Sequence, residues 1–173
     1  CRPRGVVERP MIVSETARLA IREATAADAL FFLALMNEPA WHQFIYSHSI
    51  DTCEKAADYI EERVIASYQS LGFGLWVVEK RDEAKPIGLC GLLKREVLDA
   101  IDLGFAFLSA YEGQGFAKEA AIESLDYARR VIGAPNVLAI TDPCNARSIK
   151  LLEALGFVYK SGFSYPDSAE VLS

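Results

Sequence analysis

The chain has 173 residues, 51% of them apolar and 24% charged. That balance fills the core of one domain and excludes intrinsic disorder as the overall state. Lys and Arg number 18 against 24 Asp and Glu, for a net charge of −6, which argues against nucleic acid as a partner. An anionic small molecule stays compatible, because local groups rather than net charge would receive it.

Residues 1–10 open with Cys1-Arg2-Pro3-Arg4-Gly5 and contain no apolar signal core. They read as an N-terminal extension or remnant ahead of Met11, and residues 11–173 as a single domain. No apolar run approaches the roughly 20 residues of a membrane span. Cys1, Cys53, Cys90 and Cys144 are scattered, and neither His42 nor His48 has a nearby Cys. No zinc-ligand spacing results, so no metal is expected. The thiols are read as free, in a cytoplasmic protein.

Thr16 to Glu23 alternates as a strand, with Ala17, Leu19 and Ile21 on one face. Thr25 caps a helix, and Asp28 three positions on makes an imperfect capping box. That helix turns Leu30, Phe31, Leu35 and Met36 inward. A kinked aromatic stretch, Pro39 to Tyr46, follows. A second helix runs from Thr52 to Ser70, with Ala56, Tyr59, Ile60, Val64 and Tyr68 at helical spacing. Three strand-like runs come next: Phe73 to Lys80, Pro86 to Glu96 and Ala100 to Leu108. Short polar turns join them, which predicts an antiparallel meander.

A long helix spans Ala117 to Ile132 and stops at Gly133-Ala134-Pro135. Asn136 to Thr141 reads as a short strand, Asn145 to Leu155 as a helix and Phe157 to Phe163 as a strand. Ala169 to Ser173 begins a last strand that is cut short. The order β-α-α-β-β-β-α-β-α-β predicts an α/β (α+β) domain. The helix between Ala100–Leu108 and Asn136–Thr141 makes those two strands parallel.

The most informative run is Leu108-Ser109-Ala110-Tyr111-Glu112-Gly113-Gln114-Gly115-Phe116-Ala117-Lys118. A strand ends, two glycines turn the chain and a helix starts. Gly113 and Gly115 permit positive φ and close ligand approach. The N–H groups from Gly113 to Lys118 lack intrahelical partners and sit where the helix dipole favours negative charge. This describes a pyrophosphate cradle, although an ordinary glycine-containing turn has the same spelling. A P-loop would need Gly-Lys-Ser/Thr, which is absent. A dinucleotide fingerprint would need Gly or Ala where Lys118 stands. In the second informative run, Asn145 is a good helix cap and shares a face with Ser148.

Together these runs resemble the GNAT superfamily of acetyl-CoA-dependent N-acetyltransferases, over roughly Thr16 to the end. The glycine turn matches the signature Gln/Arg-x-x-Gly-x-Gly/Ala at Glu112 to Ala117. Asn145-x-x-Ser148 through Leu155-Gly156-Phe157 matches the second motif. Thr16-Ala17-Arg18-Leu19 and Asp102-Leu103-Gly104-Phe105 resemble the ribosomal-protein-alanine (Rim-type) branch. Two departures stand out. Glu112 replaces the usual Gln or Arg and is expected to face solvent. Leu152 stands where many members carry a Tyr general acid.

The resemblance implies a mixed, mostly antiparallel twisted sheet of six or seven strands with about four helices. A parallel pair of central strands would splay at the cofactor site. It implies direct attack of an amine on the thioester of acetyl-CoA, in a ternary complex. The amine would be a protein N-terminus or a small molecule. Phe107, Leu108, Gly113, Gln114, Gly115, Phe116, Ala117, Lys118 and Asn145 would hold the cofactor. Ser148 would assist the leaving thiolate, and Asp102 would serve as base through water. Freed N–H groups of strand Ala100–Leu108 would stabilise the oxyanion. Trp41, His42 and Tyr46 would line the acceptor pocket. Because Tyr is missing, a non-catalytic acyl-CoA-binding module is the alternative. Neither nucleic acid nor membrane is an expected partner, and self-association into a homodimer is left open.

Overall fold

The computed structural model describes residues 10–44, 50–164 and 171–172. A five-stranded antiparallel sheet runs in chain order: β1 (Ile12–Glu15), β2 (Leu19–Arg22), β3 (Leu75–Lys80), β4 (Lys85–Leu93) and β5 (Asp102–Phe107). A separate two-stranded ladder pairs β6 (Phe163–Ser164) with β7 (Val171–Leu172). The helices are α1 (Ala29–Met36), α2 (Pro39–Phe44), α3 (Cys53–Tyr59), α4 (Ala66–Leu71), α5 (Phe116–Tyr127) and α6 (Ala146–Ala154).

The expected single strand Thr16–Glu23 is the second half of a hairpin. The Thr16 hydroxyl accepts the Leu19 N–H at 2.9 Å, and the Thr16 N–H donates to the Leu19 carbonyl at 2.8 Å. That turn separates β1 from β2. The capping box holds, since the Asp28 carboxylate accepts the Thr25 N–H at 2.8 Å. The same carboxylate takes two hydrogen bonds from Arg22, at 2.9 and 2.8 Å. This buried pair ties the start of α1 to β2. Removing one partner would leave a buried charge and cost about 3–5 kcal/mol.

The helix expected over Thr52–Ser70 is interrupted. A π-helical segment, Ile60–Ile65, separates α3 from α4. The long helix after the glycine turn likewise ends in a π-helical segment, Ala128–Ile132, before Gly133 at φ 71°. Such widened turns recur beside functional sites.

Strand alternation divides the interior into two layers. On one face Trp76, Val78, Cys90, Leu92 and Leu103 pack against Phe116, Ala120 and Ala121 of α5. The alanines bring that helix close to the sheet. Trp76 and Cys90 act as packing groups, as expected. The Cys90 sulfur lies 3.4 Å from the Ser124 hydroxyl, and burial pushes its thiol up to about 12. On the other face Val77 and Leu89 meet Phe32, Leu35, Ile60 and Val64. Cys90 and Cys144 are free thiols. Cys53 departs from the expectation and is disulfide-bonded.

The sheet is narrower than the six or seven strands expected. Asn136–Thr141 contributes one parallel bridge, Asp102 opposite Leu138, instead of a strand. The Leu103 N–H donates to the Leu138 carbonyl at 2.8 Å, and the Leu138 N–H to Ile101 at 2.9 Å. Past that bridge the chain diverges from β5. Phe157–Phe163 is strand only at its last residue, in β6. Phe157 still packs on the α5-side core, but Val158 and Tyr159 are 87% and 73% exposed, so apolar burial along this run stops at its first residue.

Candidate active site

A cavity of about 890 Å³ opens where β5 and the chain after Leu138 part. Phe105, Ala106 and Phe107 line one wall, and Ala139, Ile140 and Thr141 the opposite one. Leu103 turns its main-chain N–H to Leu138, so by alternation the N–H groups of Phe105 and Phe107 face the same open edge. Strand donors are therefore exposed to the cavity. This is the splayed parallel pair of the sequence reading, reduced to a single rung and placed at the edge of the five-stranded sheet.

The cavity runs on to the glycine turn. Gly113 and Gly115 have φ of 74° and 81°, in the left-handed region that disfavours side chains. Gly115 caps α5, whose first internal bond is the Glu119 N–H to the Gly115 carbonyl at 3.1 Å. The N–H groups from Gly113 to Lys118 have no hydrogen-bond partner among the described residues. Gly113, Gly115, Phe116, Ala117 and Lys118 all line the cavity. A bare backbone with convergent free donors at a helix N-terminus suits a pyrophosphate and fits the cofactor implied by the sequence.

Behind the turn lies Arg18. Its guanidinium makes two hydrogen bonds to Glu119, at 2.8 and 2.6 Å, and one to the Gln114 carbonyl at 2.9 Å. It also stacks 4.4 Å above the Phe116 ring. Burial works against ionisation of Glu119, but the Thr16 hydroxyl and Arg18 outweigh it and hold the carboxyl below its ordinary value. In front of the turn, Glu112 is exposed, as expected, and it also meets a partner. Its carboxylate pairs with Arg147 at the start of α6, and both residues line the cavity.

Asn145 caps α6, accepting the Ser148 N–H at 3.1 Å. Asn145 and Ser148 both line the cavity. The Ser148 hydroxyl makes no hydrogen bond among the described residues. Leu152, in the position of the missing Tyr, is a buried apolar part of the wall.

The other half of the cavity belongs to the α1 face of the sheet. Trp41 lines it, is 8% exposed and has an indole N–H with no partner among the described residues. Tyr59, Glu62 and Arg63 come from α3 and the π-helical segment, and Arg95 from the turn after β4. Burial raises the Tyr59 phenol above its ordinary value, while Arg63 and Arg95 pull the other way.

Asp102 lies one layer behind this wall. It is 1% exposed and does not line the cavity. Arg95 Nε donates to both of its oxygens, at 3.0 and 3.2 Å. Burial raises the Asp102 carboxyl above its ordinary value despite Arg95.

Of the residues expected from sequence, the cavity thus gathers Phe107, Gly113, Gly115, Phe116, Ala117, Lys118, Asn145, Ser148 and Trp41. Leu108 and Gln114 stay outside its wall. Leu108 packs inward on the α1 side, and Gln114 points its carbonyl at Arg18. His42 is described by its backbone alone, on α2, and Tyr46 lies outside the described residues. Sequence reasoning misses Tyr59, Arg95 and the pairing of Glu112 with Arg147, because no local pattern announces contacts between distant turns. It takes Arg18 only as part of the opening resemblance.

No group of His, Cys, Asp and Glu among the described residues could hold a metal ion, and no described helix is long and apolar enough to cross a membrane. The family model for the acetyltransferase (GNAT) domain matches residues 18–158. The Bacillus subtilis protein YkkB is 30% identical over 90 residues, 51% of this chain and 52% of its own length. The N-acetyltransferase YjdG of the same organism is 30% identical over 108 residues, 60% of this chain and 62% of its own. The chain thus spans between half and two thirds of these relatives' length. The crystal structure of ribosomal-protein-S5-alanine acetyltransferase from Vibrio fischeri superposes with a TM-score of 0.72 at 22% identity, covering 87% of this chain and 85% of that one. At that identity it speaks for the fold.

Proposed function

This chain belongs to the GNAT acetyltransferase family, and we propose that it transfers an acetyl group from acetyl-CoA to a primary amine by direct attack in a ternary complex. The acceptor class is a protein N-terminus or a small amine. The observation that carries this reading is the run of N–H groups from Gly113 to Lys118 that have no partner among the described residues, opening onto a cavity that continues along the edge of β5. The cofactor supplies the activated acetyl thioester. Gly113 to Lys118 would hold its pyrophosphate, with Gln114 acting through its main chain. The edge of β5 at Phe107, with Asn145, would hold the pantetheine arm; Leu108 takes no part, since its N–H is bonded to the Ile87 carbonyl and its side chain packs inward.

The N–H groups of Phe105 and Phe107 would receive the oxygen on which charge develops. The Ser148 hydroxyl would donate to the departing thiolate sulfur. The attacking amine must first lose a proton, since an alkylammonium of pKa about 10 is no nucleophile. Asp102 is the proposed base, reached through water beside Arg95. Trp41 would offer its indole N–H to the acceptor.

The test is release of free thiol from acetyl-CoA across a panel of N-terminal peptides, amino acids and polyamines. We expect amine-dependent release. CoA binding with no turnover across the panel would favour a non-catalytic acyl-CoA-binding module, a reading that Leu152 in place of Tyr keeps open. No CoA binding at all would overturn both.

A further inference from the structure

We propose that Arg18 is a positioning residue for cofactor binding, fixing from behind the direction in which the glycine turn presents its N–H groups. The inference rests on the cofactor reading above. Arg18 does not line the cavity, so it touches no bound molecule there. Its Nη1 donates to the Gln114 carbonyl at 2.9 Å. That carbonyl and the Gly115 N–H belong to one peptide plane, and in a trans peptide they point in opposite directions. Drawing the carbonyl back to Arg18 therefore turns the Gly115 N–H forward, to the side on which Gly115 lines the cavity.

The need for such a clamp follows from the turn itself. Glycines flank Gln114 on both sides, each with positive φ, and glycine resists rotation of a neighbouring peptide plane least of all residues. An unheld plane would spend part of its time with the carbonyl forward, where it would repel a phosphate. Arg18 is itself held rigidly. Glu119 takes Nε and Nη2 in a two-point contact, and Thr16 also donates to Glu119. Phe116 lies 4.4 Å beneath the guanidinium. The carboxylate also offsets a positive charge that would otherwise sit unfavourably at the start of α5. The clamp thus carries the β1–β2 turn's position into the cradle.

Arg18→Met keeps the length and packing of the side chain and removes every donor. We expect it to weaken CoA binding about tenfold or more, measured by titration calorimetry. Turnover at saturating acetyl-CoA should stay within about twofold. Use of S-acetylpantetheine, which carries the thioester arm without the pyrophosphate, should be unchanged in KM. Glu119→Gln, a milder change that loosens the guanidinium without removing it, should shift CoA affinity the same way by a smaller factor. It carries the test should Arg18→Met not fold. Unchanged CoA affinity in the folded variant, or equal losses for CoA and S-acetylpantetheine, would overturn the proposal. A wild-type protein without CoA affinity would overturn the functional reading and this inference with it.

Discussion

The two halves of the cavity are built from different material. Around the glycine turn the groups that face the cavity are chiefly main-chain donors, from Gly113 to Lys118 and along Phe105 and Phe107. Toward α1 and the π-helical segment they are side chains: Trp41, Tyr59, Glu62, Arg63 and Arg95, with Asp102 behind. Main-chain donors carry no net charge and are fixed once the turn folds. A chain of net charge −6 can therefore offer an anion site whose donors are chiefly main-chain, with Lys118 and Arg147 added at its wall. Side-chain groups can change one at a time without disturbing the sheet. The first half suits an invariant cofactor, and the second is where a choice among acceptors would be made.

The sharpest way to break this comparison is to put a side chain on the glycine turn. Gly115→Glu forces a side chain onto a residue at φ 81°, in the left-handed region, and brings a second carboxylate to Arg18, which distorts the turn and loosens the hold on the Gln114 carbonyl. A Cβ there would also sit 3.4 Å from Arg18 Nη2. We expect CoA affinity to fall by about 100-fold or more, roughly 3 kcal/mol, while circular dichroism stays that of the wild type. Unaltered affinity in calorimetry would mean that the cradle is not where the anion binds.

The same contrast explains what was legible in the sequence. The cradle could be read because its requirements are local: two glycines, a strand before and a helix after. The capping box at Thr25 and Asp28 and the cap at Asn145 were legible for the same reason. Beyond Trp41, the other half was not. Arg95 meets Asp102, and Tyr59 reaches the same wall, only because the sheet and the helices fold over one another. Nor does periodicity reveal the π-helical break at Ile60–Ile65, since one widened turn leaves the apolar spacing nearly intact. Asn136–Thr141 spells a strand, yet whether it pairs along its length or at one rung depends on the divergence from β5.

On the acceptor side, Asp102→Asn should lower turnover by about 100-fold at neutral pH and leave the KM for acetyl-CoA within about twofold. An unchanged pH–rate profile would remove Asp102 as base. A second signature lies in stability. Burial raises the carboxyl above its ordinary value of 3.8, against the pull of Arg95. The folded protein then holds this proton more tightly than the unfolded chain does. The Asp102 contribution to stability is greatest below the ordinary value, falls as pH rises to the raised folded value, and is level above it. Asn does not titrate, so Tm measured against pH should lose this slope in the variant. A slope identical to the wild type would show that Asp102 does not titrate in the folded protein with a raised pKa.

The smallest effect belongs to the mouth of the cofactor half, where a charged pair lines the cavity. Glu112 pairs with Arg147, whose side chain is 67% exposed, and the pair spans the opening between the glycine turn and α6. A carboxylate near a pyrophosphate gains nothing from it, and an exposed pair of this kind is largely screened. Glu112→Gln removes the like charge and frees Arg147 to turn toward the phosphates. CoA should bind slightly more tightly, by no more than about threefold. Because the freed cation adds a screened attraction, the gain should shrink as salt is raised from about 0.05 to 0.5 M. A loss of affinity beyond tenfold would mean that the pair builds the cradle rather than rims it. Recognition in this half would then depend on side chains after all, and the distinction between the two halves would fall.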